Sequence, residues 1–230
     1  WGPMPVNVAL SSGRPESWFV ALAARSLWLL ARHPVWAAVL AALAGLTRFQ
    51  AIAVIVPVMV AAWVRPNRLT TRLAVTAIAP LGLLAFLGLV AHRTGRLDGW
   101  LAVQQEWQSV SDWGASKVRF LHEHLLHGPP IFQVAAWTIV AACLLFVASL
   151  VLRLPWPLNM YSGLLLAGVI AQASYHPHSM RFLLMAFPLV FPLAAWGRRL
   201  PTWLAAGILL GLCVASAAFQ SGLWPNQIDF

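Results

Sequence analysis

Between Val35 and Val64 the chain runs VWAAVLAALAGLTRFQAIAVIVPVMVAAWV, thirty residues in which Arg48 is the only charge. A tract this apolar and this long has few homes outside a bilayer. A guanidinium at membrane depth costs at least about 2.5 to 3.5 kcal/mol on insertion scales, so it needs a partner or a water-filled cavity. Arg48 is therefore a candidate functional residue as well as a constraint on the fold.

The rest of the chain has the same character. Of its 230 residues, 60% are hydrophobic and 9% are charged, with a mean hydropathy of +0.76. This composition predicts an all-α, polytopic integral membrane protein with about eight hydrophobic helices in one transmembrane domain over residues 1–230. The net charge of +9 resides in short loops between apolar segments, where it orients helices rather than binding nucleic acid. Cys143 and Cys213 lie in separate apolar segments with no His or Cys at ligand spacing, so neither a disulfide nor a metal site is expected. The chain opens on Trp1 without a signal-peptide pattern and reads as a fragment of a longer protein.

Apolar segments fall at Ser17 to Ala31, Val35 to Leu46, Ala51 to Val64, Leu73 to Ala91, Ile131 to Leu152, Leu158 to Ser174, Phe182 to Trp196 and Thr202 to Phe219. The turns at His33-Pro34, Arg65 to Arg72, Arg153 to Pro157 and Gly197 to Arg199 are basic or border Arg, and none holds an acid. The positive-inside rule assigns them to the cytoplasm. Both ends of Val35 to Val64 are then cytoplasmic, so the tract cannot be one crossing. It should be a hairpin of two short helices turning at Thr47-Arg48-Phe49-Gln50, with Arg48 at the outer tip. This threading puts Glu16, Asp98, Glu106, Asp112, Glu123 and Asp229 all outside.

An extracytoplasmic region at 92–130 leaves the apolar register. Trp100, Leu101, Val103, Trp107, Val110 and Trp113 recur at mixed helical spacing among Gln104, Gln105, Glu106 and Gln108, and a second such stretch runs from Lys117 to Leu126. Outer-leaflet amphipathic helices at about 97–127 are expected, with indoles at headgroup level. His122, Glu123, His124 and His127 lack the spacing that sets two imidazoles and a base on one helix face, and read as a solvated cluster. The short outer loop Tyr175 to Arg181 brings His176, His178 and Arg181 to the mouth of two helices.

The cations Arg48, His176, His178 and Arg181, with Gln50, thus gather on one side and suit a phosphate whose lipid tail stays in the bilayer. Such a phosphate is the leaving group when a sugar moves from a polyprenyl carrier. That chemistry uses a carboxylate base, for which Glu16 is a weak candidate, and cations or a divalent metal ion to stabilise the departing phosphate.

Two stretches support this direction by resemblance. Pro15-Glu16-Ser17-Trp18-Phe19, an apolar helix, a basic turn, a second helix and Thr47-Arg48-Phe49-Gln50-Ala51 follow one another in the order seen in the PIG-V-like mannosyltransferases of the GT-C membrane glycosyltransferases. Ser179-Met180-Arg181-Phe182-Leu183 and Phe187-Pro188-Leu189 are similar to that family's Arg-aromatic helix start and FPL run. Pro15 stands where the family carries Ser, and Ala51 where it carries Gly. The resemblance implies an inverting transfer of mannose or a related sugar from a polyprenyl-phosphate co-substrate to a glycolipid or glycan acceptor. The active face would be extracytoplasmic or lumenal, in a plasma membrane if bacterial or the endoplasmic reticulum if eukaryotic. It also implies a catalytic Asp in the first outer loop, upstream of Trp1.

Two other readings fit parts of the same pattern. Broken helices holding an intramembrane charge also occur in transporters and flippases for lipid-linked or anionic substrates, although no inverted repeat shows in the hydropathy. A chain without the upstream loop could also be an inactive membrane segment.

Overall fold

The computed structural model describes residues 15–106, 111–172 and 182–198, with single positions at 201, 204, 207, 210 and 211. Every element in these residues is helical, and the only extended pairing is an isolated contact of Ser111 with Gln172. The helices are α1 (Pro15–Leu29), α2 (Pro34–Thr47), α3 (Ile52–Val64), α4 (Leu69–Ile78), α5 (Leu81–Thr94), α6 (Gly99–Glu106), α7 (Ala115–His124), α8 (Pro130–Val151), α9 (Trp156–Ala171) and α10 (Phe191–Gly197).

The apolar tract is broken where its charge sits. Helix α2 ends at Thr47, whose hydroxyl donates to the Ala44 carbonyl at 2.7 Å. Arg48 is extended at φ −160°, ψ 150°, and a single 3₁₀ turn over Phe49–Ala51 leads into α3. The far ends of the two helices meet: Arg65, just past α3, donates from Nη1 to the Leu30 carbonyl at 3.0 Å, beside the turn that opens α2. A single long helix is thereby excluded, and the expected hairpin is what the chain forms. At 14 and 13 residues its arms are about 20 Å long at 1.5 Å per residue.

Small side chains bring these helices close. The buried face of α2 is Ala37, Ala38, Ala41, Ala44 and Gly45, and the Ser26 hydroxyl of α1 donates to the Ala37 carbonyl at 2.7 Å. Through Gly45 of this face and the neighbouring Ala42, α2 meets α5 nearly backbone to backbone. A Cβ at Gly82 would fall 1.6 Å from the Ala42 carbonyl oxygen, and one at Gly45 would fall 2.5 Å from the Leu83 nitrogen. Helices associate in this way where lipid removes the hydrophobic incentive and van der Waals fit replaces it.

Among the described residues two helical stretches are long and apolar enough to cross a membrane: Leu69–Thr94, comprising α4 and α5, and Pro130–Val151, which is α8. In their most apolar windows only 22% and 28% of residues are buried within the chain, so their apolar flanks face outward. Leu84, Leu89, Trp137, Leu144 and Val147 are all more than half exposed.

Two expected segments differ. Leu73 to Ala91 is interrupted at Ala79-Pro80, because Pro80 has no N–H for the ladder. The helix expected over Phe182 to Trp196 is a short turn at 182–184, a 3₁₀ turn over Phe187–Val190, and α10. Pro188 and Pro192 have no N–H to donate back to the preceding turn, so neither can sit in the interior of a continuous helix without breaking its ladder. The freed Met185 carbonyl accepts a 2.7 Å hydrogen bond from the buried Tyr161 hydroxyl of α9. The expected helix over Thr202 to Phe219 lies almost wholly outside the described residues, as does Cys213.

Candidate functional site

Glu16 lies in the first turn of α1, where the helix dipole favours a carboxylate. Its side chain is 1% exposed, and its Oε1 accepts from Arg48 Nη2 at 2.9 Å. The two residues are 32 positions apart and meet because α1 and α2 run in opposite directions, so the start of one lies beside the end of the other. The Arg48 guanidinium also sits 5.8 Å from the Phe182 ring centroid, a cation over an aromatic face.

Arg48 is thus a hairpin-tip residue with a protein carboxylate as partner, a contact that charge bookkeeping did not anticipate. Of the expected site residues, Glu16, Arg48 and Gln50 come together. His176, His178 and Arg181 lie outside the described residues.

Beside the ion pair is a cleft of about 80 Å³ between the hairpin tip and α9. Phe49, Gln50, Leu165, Gly168, Gln172 and Phe182 line it among others, so two carboxamides stand in an otherwise apolar cleft. Phe49 is in turn stacked on Trp100 of α6, with ring centroids 3.9 Å apart and planes 25° apart. The amphipathic stretch is therefore seated on the hairpin tip.

A second outer element is pinned to the same end. The Ser111 hydroxyl and the Asp112 backbone N–H both donate to the Ala171 carbonyl at 3.1 Å, next to Gln172 of the cleft. Asp112 then caps α7, accepting from the Gly114 and Ser116 N–H groups at 3.1 and 2.7 Å. Gly114, at φ +94°, allows the turn and approaches the Ile170 side chain, where a Cβ would lie 3.2 Å away. Trp113, also left-handed at φ 57°, projects into the surroundings at 91% exposure.

Two other carboxylates stand at the surface. Asp98 forms a two-pronged pair with Arg96 at 2.9 and 2.8 Å in the open, and Glu123 is exposed. Glu16 is a buried carboxylate, joined to the cleft through Arg48, which is next in sequence to Phe49 and 5.8 Å from the Phe182 ring of its lining. Among the described residues no group of three His, Cys, Asp or Glu side chains is placed to hold a metal ion. His124 has left its expected solvated cluster: it stacks on Phe120 at 4.7 Å and meets Phe132 edge-on at 5.1 Å, while His122 and His127 stay exposed.

The sequence reading passed over Lys117. It is 2% exposed, and burial pushes its amine from an ordinary 10.5 down to about 8, against the opposing field of Asp112. A signal was available, since Lys117, Phe120, Leu121 and His124 follow the spacing of one helical stripe, and that stripe is the inward face of α7. Comparison with models of known protein families, with curated proteins and with solved structures returns no match.

Proposed function

We propose that the protein is a polytopic membrane glycosyltransferase that moves mannose or a related sugar from a polyprenyl-phosphate donor to an acceptor hydroxyl on the extracytoplasmic face. About eight hydrophobic segments, two of them shortened into the α2–α3 hairpin, would form its membrane domain. The observation that carries this reading is the meeting of Glu16 and Arg48 at 2.9 Å beside a cleft that is apolar except for Gln50 and Gln172. A planar guanidinium can hold two phosphate oxygens at once, carboxamides can orient sugar hydroxyls, and apolar walls suit the first carbons of a lipid tail. The collinear resemblance to the PIG-V-like mannosyltransferases supports the same chemistry.

In this account Arg48 binds the donor phosphate and stabilises the negative charge it acquires as the glycosidic C–O bond breaks. The acceptor oxygen attacks the anomeric carbon from the opposite side, inverting it, and a carboxylate takes the hydroxyl proton. Glu16 sets the orientation of Arg48. Arg181, His176 and His178 add donors to the same phosphate.

The test is sugar transfer from radiolabelled polyprenyl-phosphate mannose by the full-length protein, with Arg48→Lys and Arg48→Ala compared at equal folded amounts. Lysine keeps the charge but loses the two-pronged fork, so both variants should lose at least about tenfold in turnover. Unchanged transfer by Arg48→Lys and Arg48→Ala removes Arg48 from the reaction, and no transfer by the wild-type protein from any polyprenyl-phosphate sugar removes the assignment.

A further inference from the structure

We propose that the end of the bundle opposite Glu16 and Arg48 carries a binding site for the phosphate of an anionic phospholipid, formed by Arg65, Arg68 and Arg72 with Arg32 beside them. The inference rests on the chain being embedded in a membrane and is independent of the sugar-transfer reading.

A chain of hydrogen bonds brings these arginines to one place. Arg65 Nη1 donates to the Leu30 carbonyl at 3.0 Å, which holds the α3–α4 turn against the α1–α2 turn and so against Arg32. Within the α3–α4 turn the Asn67 N–H donates to the Arg65 carbonyl at 2.7 Å, and Arg72 Nε donates to the Asn67 carbonyl at 3.1 Å. Asn67 is itself fixed by its side-chain amide on the Ala62 carbonyl at 3.0 Å. Arg72 also lies over the Trp63 ring at 5.7 Å, and the Trp63 indole N–H donates to the Thr76 hydroxyl at 3.0 Å. Two guanidinium groups, those of Arg65 and Arg72, are thus oriented by backbone carbonyls before any ligand arrives.

Charge and surface then select the ligand. No acidic residue lies between Ser17 and Leu97, so nothing in either turn neutralises the four arginines. Arg32 and Arg68 are exposed, and the Arg68 carbonyl accepts from the Arg72 N–H at 3.1 Å while its guanidinium makes no hydrogen bond or ion pair among the described residues. The surface around the cluster is apolar: Trp36 is 64% exposed, Val64 68% and Leu69 62%. A soluble anion would satisfy the arginines and leave these side chains in water. An anionic phospholipid satisfies both, with its phosphate among the guanidinium forks and its acyl chains along Trp36, Val64 and Leu69.

The experiment is native mass spectrometry of the full-length protein released from bilayer discs of mixed phosphatidylglycerol and phosphatidylcholine. The wild-type protein should retain phosphatidylglycerol in clear excess over its share of the disc. Arg68→Gln should reduce that excess about fivefold, the effect of one juxtamembrane arginine. Arg93→Gln, an exposed arginine near the other end, should leave it unchanged, and because Arg68 is exposed its replacement leaves the fold intact. Retention of both lipids in their mixing ratio overturns the proposal, as does an unchanged excess in Arg68→Gln. Displacement of the lipid by inorganic phosphate at matched concentration would reduce the site to a plain anion site. Displacement by a short oligonucleotide would reassign it to nucleic acid, and either result refutes a lipid site.

Discussion

At the residue scale, the price of Arg48 was legible in the sequence and its partner was not. One guanidinium in thirty uncharged residues announces itself, but nothing local connects it to a glutamate 32 positions earlier; only the antiparallel course of α1 and α2 does that. The buried pair predicts an asymmetry. Arg48→Ala removes the cation paired with the buried Glu16 carboxylate and should cost about 3 to 5 kcal/mol of stability, whereas Glu16→Ala combined with Arg48→Ala should cost less than the two single changes summed. Thermal unfolding of the three variants in detergent measures this coupling, and strict additivity would show that the pair contributes no interaction of its own. Lys117 escaped notice because it opens an amphipathic stretch where a lysine is ordinarily solvated. Its depressed amine means that the unfolded chain binds more protons than the folded one between pH about 8 and 10.5, so stability should rise with pH across that window. Lys117→Met should abolish this rise, as read from unfolding midpoints at pH 7.5, 9 and 10.5.

At the scale of elements, hydropathy located the helices and misjudged their continuity. It reports the transfer of side chains from water, while helix continuity depends on backbone donors, and Pro80, Pro188 and Pro192 delete donors without making a segment less apolar. The hairpin was legible because charge in the flanking turns overrode hydropathy: basic residues at both ends of Val35 to Val64 led the positive-inside rule to predict a chain that turns back on itself. The close seam of α2 on α5 was not anticipated, since alanines and glycines spaced along an apolar helix look the same whether they face lipid or a neighbour. Gly82→Val places a side chain onto the Ala42 carbonyl and should cost about 1 to 3 kcal/mol or more by overpacking. Gly88, with open space around its α-carbon, provides the comparison: Gly88→Ala should be neutral or slightly stabilising by helix propensity. Equal unfolding midpoints for the two variants would mean that α2 and α5 are not in contact.

At the scale of the whole molecule, the chain separates its charges by end. Glu16, Arg48, the Trp100 helix and the Ser111-Asp112 strap share one end of the bundle, and Arg32, Arg65, Arg68 and Arg72 share the other. The proposed chemistry needs the first end outside, where a polyprenyl-phosphate sugar presents its head while the tail stays in the leaflet, and the second inside. Substituted-cysteine labelling tests this directly. In a protein with Cys143 and Cys213 changed to Ala, single cysteines at His33, Gln50, Arg68 and His127 are treated with a membrane-impermeant maleimide in sealed right-side-out vesicles. Gln50→Cys and His127→Cys should react at once, while His33→Cys and Arg68→Cys should react only after the vesicles are opened. Reaction of His33→Cys and Arg68→Cys from opposite sides, or of Gln50→Cys only from within, would contradict an outward-facing hairpin tip and the function assigned to it.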